Sequence, residues 1–450
     1  MKIRKLKRGS IKKNKTPKPS PRIKMLLNQA SSCIEYGRLG QAEDLCREIV
    51  QLSPRTSEAY NILGMIYQER GLIDDAIPAF HKAVELDGAN ANAFFNLGTA
   101  LGQRGQYEQA ATSLRKSLAL APRTAEARNN LGLALASLGK LDEATISLEK
   151  AVNLDTHYRD AWLNLGETYC CQGQLQKAVD AYQRCIRFNP DFVAAHYNLS
   201  VAQHDLKLLP DAIESLQRTI ELDPEHAAAL HMLAALSGET PDSAPQQFVT
   251  NLFDQYSIHF EADLVNRLEY RIPTRLRELF SANVPVGTHL SKAIDLGCGT
   301  GLSGQAFHDI ADYLAGIDIS KKMLGHAREK QIYDALYAGD LYEQLQQLPD
   351  VFDLFIAADV MIYIGNLEPL FSTVSGKAGP GAYFAFSVES EQQNDFTLQS
   401  TGRYAHAAAY ISRLAAASDF TVIAQEQAGI RKEGDTWIPG EIYVLQKNAV

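Results

Sequence analysis

The stretch Ala293-Ile294-Asp295-Leu296-Gly297-Cys298-Gly299-Thr300-Gly301 decides the fold of the second half of the chain. It starts as a short apolar strand and runs directly into a turn with glycine at every second position. Glycine adopts positive φ angles at little cost and lets the backbone approach a ligand closely. The stretch therefore predicts a loop around a nucleoside-containing cofactor, at the carboxyl end of a parallel strand.

Two classes of cofactor compete for this loop. A three-glycine dinucleotide motif fits residues 299–304, but two further residues then separate the motif from the strand. Counted from Gly297, the loop has Asp295 two positions before its first glycine. A carboxylate there attracts a cofactor that carries ammonium and sulfonium groups, and it repels a pyrophosphate. The charge favours the cationic cofactor; a plain strand-to-helix turn is the alternative.

The sequence Asp-Leu-Gly-Cys-Gly-Thr-Gly, starting at Asp295, resembles the first motif of class I S-adenosylmethionine-dependent methyltransferases. The resemblance implies an α/β doubly wound, seven-stranded (Rossmann-like) domain whose last strand inserts antiparallel. It also implies S-adenosyl-L-methionine as the cofactor. The residues expected to bind this cofactor are Asp295, Gly297, Cys298, Gly299, Gly301, Asp318, Ile319, Asp340, Leu341 and Asp359.

The acidic residues in that set have separate expected roles. Asp318 ends the second predicted strand, where a carboxylate accepts ribose hydroxyls. By resemblance to the family, Asp340 contacts the adenine amino group and Leu341 packs on the ring, while Asp359 faces the transferable methyl. The apolar pattern predicts a helix over 303–313 and strands that include residues 315–320, 352–360, 382–388, 420–423 and 441–445.

The methyl acceptor is not encoded in a recognisable motif. The sequence after the fourth strand lacks the proline-rich tetrapeptide of exocyclic-amine methyltransferases, and the chain has no Pro-Cys dipeptide for cytosine C5 chemistry. Tyr256, Tyr363 and His406 are weak catalytic candidates. Packing is the alternative for both tyrosines, and a surface or capping position is the alternative for His406. The catalytic residues are therefore left unknown.

The first half of the chain is periodic. Gly64, Gly98, Gly132 and Gly166 are spaced by 34 residues, and an alanine follows each of them after twelve residues. This pattern resembles the tetratricopeptide repeat, in which pairs of helices stack into a superhelix. We count six copies over residues 25–239, with residues 226–238 as a capping helix. A basic tail over 1–24 precedes them, and a methyltransferase domain over 240–450 follows, with a helical lead-in over 245–285.

One position of the repeat is occupied by asparagine in four copies: Asn96, Asn130, Asn164 and Asn198. It lies two residues before the glycine or serine, on the first helix, which faces the concave groove in this family. An amide offers donors and an acceptor to a peptide backbone. The row therefore indicates a groove for a protein or peptide partner, and consensus packing between repeats is the alternative.

Composition sets further limits. The 450 residues are enough for two or three domains. The first 24 residues contain eleven Lys or Arg and no acidic residue, which indicates either a solvated arm or weak contact with nucleic acid. The six cysteines show no CxxC spacing, so we expect neither a metal site nor disulfides. We therefore expect a cytoplasmic location. We also expect no membrane span.

The sequence thus predicts a multidomain protein: an all-α superhelix followed by a methyltransferase domain. The leading hypothesis is an S-adenosylmethionine-dependent methyltransferase whose repeats recruit a protein substrate or partner. A small-molecule methyltransferase that uses its repeats for assembly is one alternative. A non-catalytic protein-binding scaffold is the other.

Overall fold

The computed structural model describes residues 20–256, 261, 264, 268–433 and 436–449. Two compact units, Met1–Ala212 and Ile213–Val450, make up the chain. Most of the predicted basic tail lies outside the described residues, and the first helix begins at Pro21 with Ser20 as its N-cap.

The first unit consists of helix pairs, as the 34-residue period predicts. The helices of the repeats are α1 (Pro21–Glu35), α2 (Leu39–Leu52), α3 (Ser57–Glu69), α4 (Ile73–Leu86), α5 (Ala91–Gln103), α6 (Tyr107–Leu120), α7 (Ala125–Ser137), α8 (Leu141–Leu154), α9 (Arg159–Cys171), α10 (Leu175–Phe188) and α11 (Val193–Asp205). Helix α12 (Leu209–Leu222) spans the boundary between the units, and α13 (Ala227–Ser237) lies in the second unit.

The constant spacing of glycine within the repeats has a steric cause. A Cβ atom at Gly132 would lie 2.5 Å from Cγ of Leu148, and one at Gly98 would lie 2.6 Å from Cγ of Leu114. In both repeats the large side chain comes sixteen residues later, on the second helix. The glycine therefore lets the two helices of a repeat approach each other closely.

A second glycine of the repeat occupies the turn between the two helices. Gly105 and Gly139 have φ angles of +79° and +71°, a region that favours glycine. In the sixth repeat Lys207 takes this position, and its φ is +63°. The backbone therefore keeps the same turn where the sequence departs from the pattern.

Within the described part of the second unit, one sheet of nine strands forms the centre. The strands are β1 (Leu290–Leu296), β2 (Ala311–Asp318), β3 (Ala335–Ala338), β4 (Phe352–Ala357), β5 (Ala378–Glu391), β6 (Phe396–Leu398), β7 (Tyr404–Ala407), β8 (Phe420–Glu433) and β9 (Thr436–Lys447). Strands β3, β2, β1, β4 and β5 are parallel in that order. Strand β9 inserts antiparallel between β5 and β8. This confirms the predicted seven-stranded arrangement, to which the short strands β6 and β7 are added.

Helices cover both faces of this sheet. The helices of this part of the chain are α14 (Gln246–Tyr256), α15 (Ile272–Asn283), α16 (Leu302–Phe307), α17 (Lys321–Glu329), α18 (Leu341–Gln347), α19 (Glu368–Lys377) and α20 (Ala408–Ala417). The adjacent residues Ala293 and Ile294 of β1 are both fully buried, but in cores on opposite faces. Two covered faces are typical of a parallel sheet, and they explain the continuous apolar runs of its strands.

The helix predicted over 303–313 is wrong in its length. Helix α16 ends at Phe307, and the chain enters β2 at Ala311. The residues that follow are drawn into the sheet because Ala311 pairs with Leu290 and Tyr313 pairs with Lys292. The pairing of residues 311–317 with β1 thus overrides the local helical pattern.

The described residues also bear on membranes, metals and disulfides. None of their helices has both the length and the apolar character needed to cross a bilayer. Within the same ranges, no cluster of three or more His, Cys, Asp or Glu side chains is arranged to bind a metal ion. All six cysteines are unpaired.

The steric argument gives a test on the repeats. We expect Gly132→Ala to lower the free energy of unfolding by about 1–3 kcal/mol, because the new methyl group would clash with Leu148. The matched control is Gly102→Ala in α5, whose Cβ would lie 3.9 Å from its nearest neighbour. This control should raise stability by about 0.5–1 kcal/mol, since alanine favours the helix. Urea denaturation followed by circular dichroism measures both, and equal effects of the two variants would contradict the packing argument.

Candidate active site

The carboxyl ends of β1, β2 and β4 open on a cavity of about 620 Å³. A volume of this order accommodates a nucleoside-sized ligand together with a second reactant. Nine of the residues singled out in the sequence line it: Gly297, Cys298, Gly299, Asp318, Ile319, Asp340, Leu341, Asp359 and Tyr363. Asp295, Gly301 and His406 lie outside its lining. The backbone of Tyr256 ends α14, and its side chain lies outside the described part of the chain.

The glycine loop after β1 is tied to the end of β2. The N–H of Gly299 donates to Oδ2 of Asp318 at 2.8 Å, and the N–H of Cys298 donates to the carbonyl of Ile317 at 2.9 Å. Gly299 has a φ of +54°, and a Cβ there would meet no atom within 4 Å. At Gly299 the loop therefore presents its backbone, and not a side chain, to the cavity.

Asp318 is a buried carboxylate held by backbone donors. Its second oxygen, Oδ1, accepts the N–H of Ser320 at 2.8 Å. Burial raises the pKa of Asp318 to about 6, although the bonds from Ser320 and Gly299 act to lower it. The carboxylate lines the cavity and is ionised at neutral pH, so it can accept hydroxyl groups of a ligand.

Asp295 lies beneath the loop and is fully buried. Its Oδ2 accepts the hydroxyl of Tyr333 at 2.6 Å, while Oδ1 has no hydrogen-bond partner among the described residues. Burial raises the pKa of Asp295 to about 7; the bond from Tyr333 lowers it, and the charge of Asp318 raises it further. The structure thus places this carboxylate behind the glycines, where it acts on the cavity through its charge.

Asp340 begins the helix at the end of β3. Its Oδ1 accepts the N–H groups of Tyr342 and Glu343 at 2.9 and 3.1 Å, which makes it the N-cap of α18. Its Oδ2 accepts the side-chain amide of Gln246 at 2.7 Å. Gln246 also lines the cavity, so this wall joins the lead-in helix α14 to the sheet.

Asp359 follows β4 with a φ of +62°, in the region that favours glycine. Both of its carboxylate oxygens accept hydrogen bonds from Nη1 of Arg431, at 2.9 and 2.8 Å. Nη2 of the same arginine contacts Glu389. Burial lowers the pKa of Arg431, but the charges of Asp359 and Glu389 outweigh it, so the net direction is upward. Arg431 therefore clamps the ends of β4 and β5 to β8, and it engages the carboxylate expected to face the methyl group.

The two remaining catalytic candidates differ in position. Tyr363 lines the cavity and packs edge-on against Phe253, with ring centroids 5.5 Å apart, and burial raises its pKa to about 12. His406 is 1% exposed, so the interpretation as a surface residue is wrong. Its Nε2 lies 2.9 and 3.0 Å from the carbonyls of Ile364 and Gly365, and burial lowers its pKa to about 4. His406 thus supports the backbone beside the cavity.

The segment before α14 forms part of the cavity wall. The N–H of Ala244 donates to the carbonyl of Tyr363 at 3.0 Å, and Ser243 forms an antiparallel bridge with Ile364. Residues 243 and 244 are therefore bound to the segment that follows β4, beside the cavity. Earlier in the chain, Nε2 of His231 in α13 lies 2.8 Å from the carbonyl of Gly402.

The asparagine row of the repeats is half-buried. Each Nδ2 donates to a side chain of the preceding repeat, at distances of 2.8–3.0 Å. The four pairs are Asn96 with Asn61, Asn130 with Thr99, Asn164 with Asn129, and Asn198 with Glu167. These amides therefore link successive repeats, which is the packing role that the sequence left open.

Several residues of the site do not belong to any recognisable sequence motif. Tyr333 is 38 residues from its partner Asp295, and the two meet only through the fold. Glu389 had a usable signal, because it follows a run of apolar residues in β5 and a buried charge requires a partner. The contacts of Arg431 with Asp359 and Glu389 could not be read from spacing.

Comparison with known families fits this architecture. Family models for tetratricopeptide repeats match residues 55–123, 95–157 and 160–192, and a methyltransferase-domain model matches residues 294–386. The chain thus joins tetratricopeptide repeats to a methyltransferase domain.

Curated relatives match parts of the chain. The 18S rRNA (guanine-N(7))-methyltransferase of Bos taurus is 36% identical over 16% of this chain and 26% of its own length. The ubiquinone biosynthesis O-methyltransferase of Agrobacterium fabrum is 31% identical over 26% and 48%. The malonyl-[acyl-carrier protein] O-methyltransferase of Erwinia pyrifoliae is 40% identical over 22% and 38%. The chain therefore spans less than half the length of each relative. Among solved structures, MamA is 29% identical over 36% of this chain and 96% of its own, with a TM-score of 0.35.

The raised pKa of Asp295 predicts a pH-dependent stability. An unfolded aspartate titrates near 3.9, so the stability that its protonated form contributes is lost as the pH rises from there through about 7. We expect Asp295→Asn to stabilise the protein at pH 8 relative to wild type by on the order of 2 kcal/mol more than at pH 5. Urea midpoints at the two pH values measure this.

The control for this experiment is Glu278→Gln, an exposed residue of the same unit. It should shift the urea midpoint little at either pH. A gain in Asp295→Asn that is equal at pH 5 and pH 8 would contradict the burial of an ionisable carboxyl at this position.

Proposed function

We propose that the chain is an S-adenosylmethionine-dependent methyltransferase whose repeats recruit a protein substrate or partner. The observation that carries the cofactor assignment is the glycine loop hydrogen-bonded to the buried carboxylate of Asp318, at the rim of the cavity. A backbone-lined loop beside an acid at the tip of the next strand suits a ligand with a ribose and a positive charge. The curated relatives are all named methyltransferases, which supports the same reaction class.

The residues present fit this cofactor. Each oxygen of Asp318 accepts one backbone N–H and retains a lone pair for a ribose hydroxyl. Ile319 and Leu341 supply apolar surface for the adenine ring. Asp295 has a buried oxygen without a hydrogen-bond partner among the described residues, and a bound cation would offset its charge.

The bound cofactor would supply an electrophilic methyl group on a positively charged sulfur. The chain then needs to hold the acceptor in line with that group, which is largely a matter of position. The clamp of Arg431 on Asp359 and Glu389 fixes the wall on which the acceptor would lie. Tyr363, with its pKa raised to about 12, stays protonated there and can donate a hydrogen bond.

Recruitment by the repeats is the finer part of the proposal. Leu133 and Val201 are 41% and 40% exposed, and each comes three residues after an asparagine of the row. Residues with that spacing share a helix face. An extended polypeptide fits such a face, because the amide groups can form hydrogen bonds with its backbone and the apolar side chains can pack against its side chains. The relatives' names give three different acceptors, so they do not choose between a protein and a small molecule.

The cofactor assignment predicts binding of S-adenosylhomocysteine. We expect micromolar affinity for the wild-type chain, and a loss of at least about tenfold in Asp318→Asn, because the variant lacks the charge-assisted hydrogen bonds to ribose. Isothermal titration calorimetry measures both affinities. The control is Asp312→Asn at the opposite end of the same strand, which should bind like wild type. Absence of binding to wild type would favour the scaffold hypothesis.

The repeat assignment predicts a separate effect. In a native cell extract with tritiated S-adenosylmethionine, we expect Leu133→Asp with Val201→Asp to reduce labelling of the acceptor several-fold and to leave S-adenosylhomocysteine affinity unchanged. The control pair is Leu120→Asp with Ile146→Asp; these residues are slightly more exposed and lie on the second helices of their repeats. Label confined to small molecules, with equal rates for both pairs, would favour the assembly alternative.

A further inference from the structure

Among the described residues, two arginine side chains line the cavity, Arg403 and Arg431, and they differ in their partners. Arg431 is 3% exposed and paired with two carboxylates. Arg403 is half-buried, and its guanidinium forms no hydrogen bond or ion pair with a residue in the described ranges. A charged group in this position is partly desolvated without the compensation that a partner provides.

The fold places Arg403 rather than leaving it on a loose loop. It ends a tight turn between β6 and β7, in which the N–H of Gln399 donates to the carbonyl of Arg403 at 2.8 Å. Gly402, with a φ of +77°, precedes it. The carbonyl of Gly402 accepts a hydrogen bond from Nε2 of His231 at 2.8 Å. Helix α13 therefore braces the turn that carries this guanidinium.

Among the described residues, Asp359 and Glu389 already have a basic partner. Asp359 directs both oxygens to Arg431, and Glu389 contacts the same guanidinium. Tyr363, the aromatic neighbour in the lining, stays protonated at neutral pH. Arg403 thus presents to the cavity a guanidinium that forms no hydrogen bond or ion pair with a described residue, next to apolar and aromatic surface. Glu389 acts on it through its charge.

We propose that the methyl acceptor carries a carboxylate and that Arg403 binds it, which rests on the methyltransferase function proposed above. A guanidinium binds a carboxylate through two parallel hydrogen bonds, and partial burial strengthens them. Three further acids line the cavity, namely Asp318, Asp340 and Asp359, and their charges disfavour a doubly charged phosphate more than a singly charged carboxylate. Arg403 is therefore the residue that selects acidic acceptors, and His231 is a positioning residue.

Competition between matched ligands tests this assignment. In the presence of saturating S-adenosylhomocysteine, we would titrate straight-chain and phenyl-substituted carboxylic acids, their amides and their phosphate esters, with detection by saturation-transfer NMR. We expect the acids to bind at least about tenfold more tightly than their amides, as a charged hydrogen-bonded pair implies. Phosphate esters binding more tightly than the acids, or amides binding as tightly, would overturn the assignment.

Variants connect this preference to one side chain. Arg403→Gln should abolish the preference for acids, and Arg403→Lys should retain part of it, which separates the charge from a folding defect. The control is Arg413→Gln, an exposed arginine paired with Asp395 at 2.6 Å, which should leave the preference unchanged. An undiminished preference in a folded Arg403→Gln protein would overturn the assignment. Binding of S-adenosylhomocysteine is measured in the same samples, so a failure of the cofactor assignment is seen separately.

Chemical modification gives an independent readout. Phenylglyoxal should modify Arg403 and spare Arg431, whose nitrogens are engaged with Asp359 and Glu389. The acids of the panel should slow the modification of Arg403, as followed by peptide mass spectrometry. An Arg403 that resists the reagent while Arg413 reacts would show that another group already pairs with it, and would contradict the proposal.

Discussion

The hydrogen bond from the N–H of Gly299 to Asp318 joins the two strands on which the cavity depends. Asp318 is 8% exposed, so its charge requires donors from the protein. The glycine loop can supply one because Gly299 adopts a φ of +54° that directs its N–H toward β2. A side chain at this position would strain the loop and intrude on the space beside it. The glycine and the aspartate are therefore one feature, although nineteen residues separate them.

Support for the loop comes from the opposite side as well. The ring of Tyr333 occupies space that glycine leaves at two positions, since a Cβ at Gly304 or Gly316 would lie against it. Its hydroxyl reaches Asp295, the acid beneath the loop. Burial of that acid costs free energy, and the pKa of about 7 reflects this cost. A cation bound above the loop would offset this cost, because it would stabilise the ionised form of Asp295.

The sequence predicts those parts of the molecule that local patterns encode. The 34-residue period gives the repeats because each glycine meets a large side chain at a constant spacing. The strand-and-glycine motif leads to the seven-stranded core through its resemblance to a known family, since the local pattern alone does not give the order of the strands. By contrast, the hairpin of β6 and β7 is short, and its place is set by pairing of β7 with β5. Likewise the Arg431 clamp and the docking of residues 240–244 arise from contacts distant in sequence, which no periodicity records.

These contacts make the segment between repeats and sheet part of the site, since α13 braces the turn of Arg403 and Ala244 bonds to Tyr363. The central claim is that the loop and Asp318 hold a nucleoside cofactor. A crystal structure of the chain with S-adenosylhomocysteine tests it most directly. The account predicts ribose hydroxyls within hydrogen-bond distance of Asp318 and adenine against Ile319 and Leu341. Ligand density elsewhere, or an Asp318 carboxylate turned away from the ribose, would contradict it.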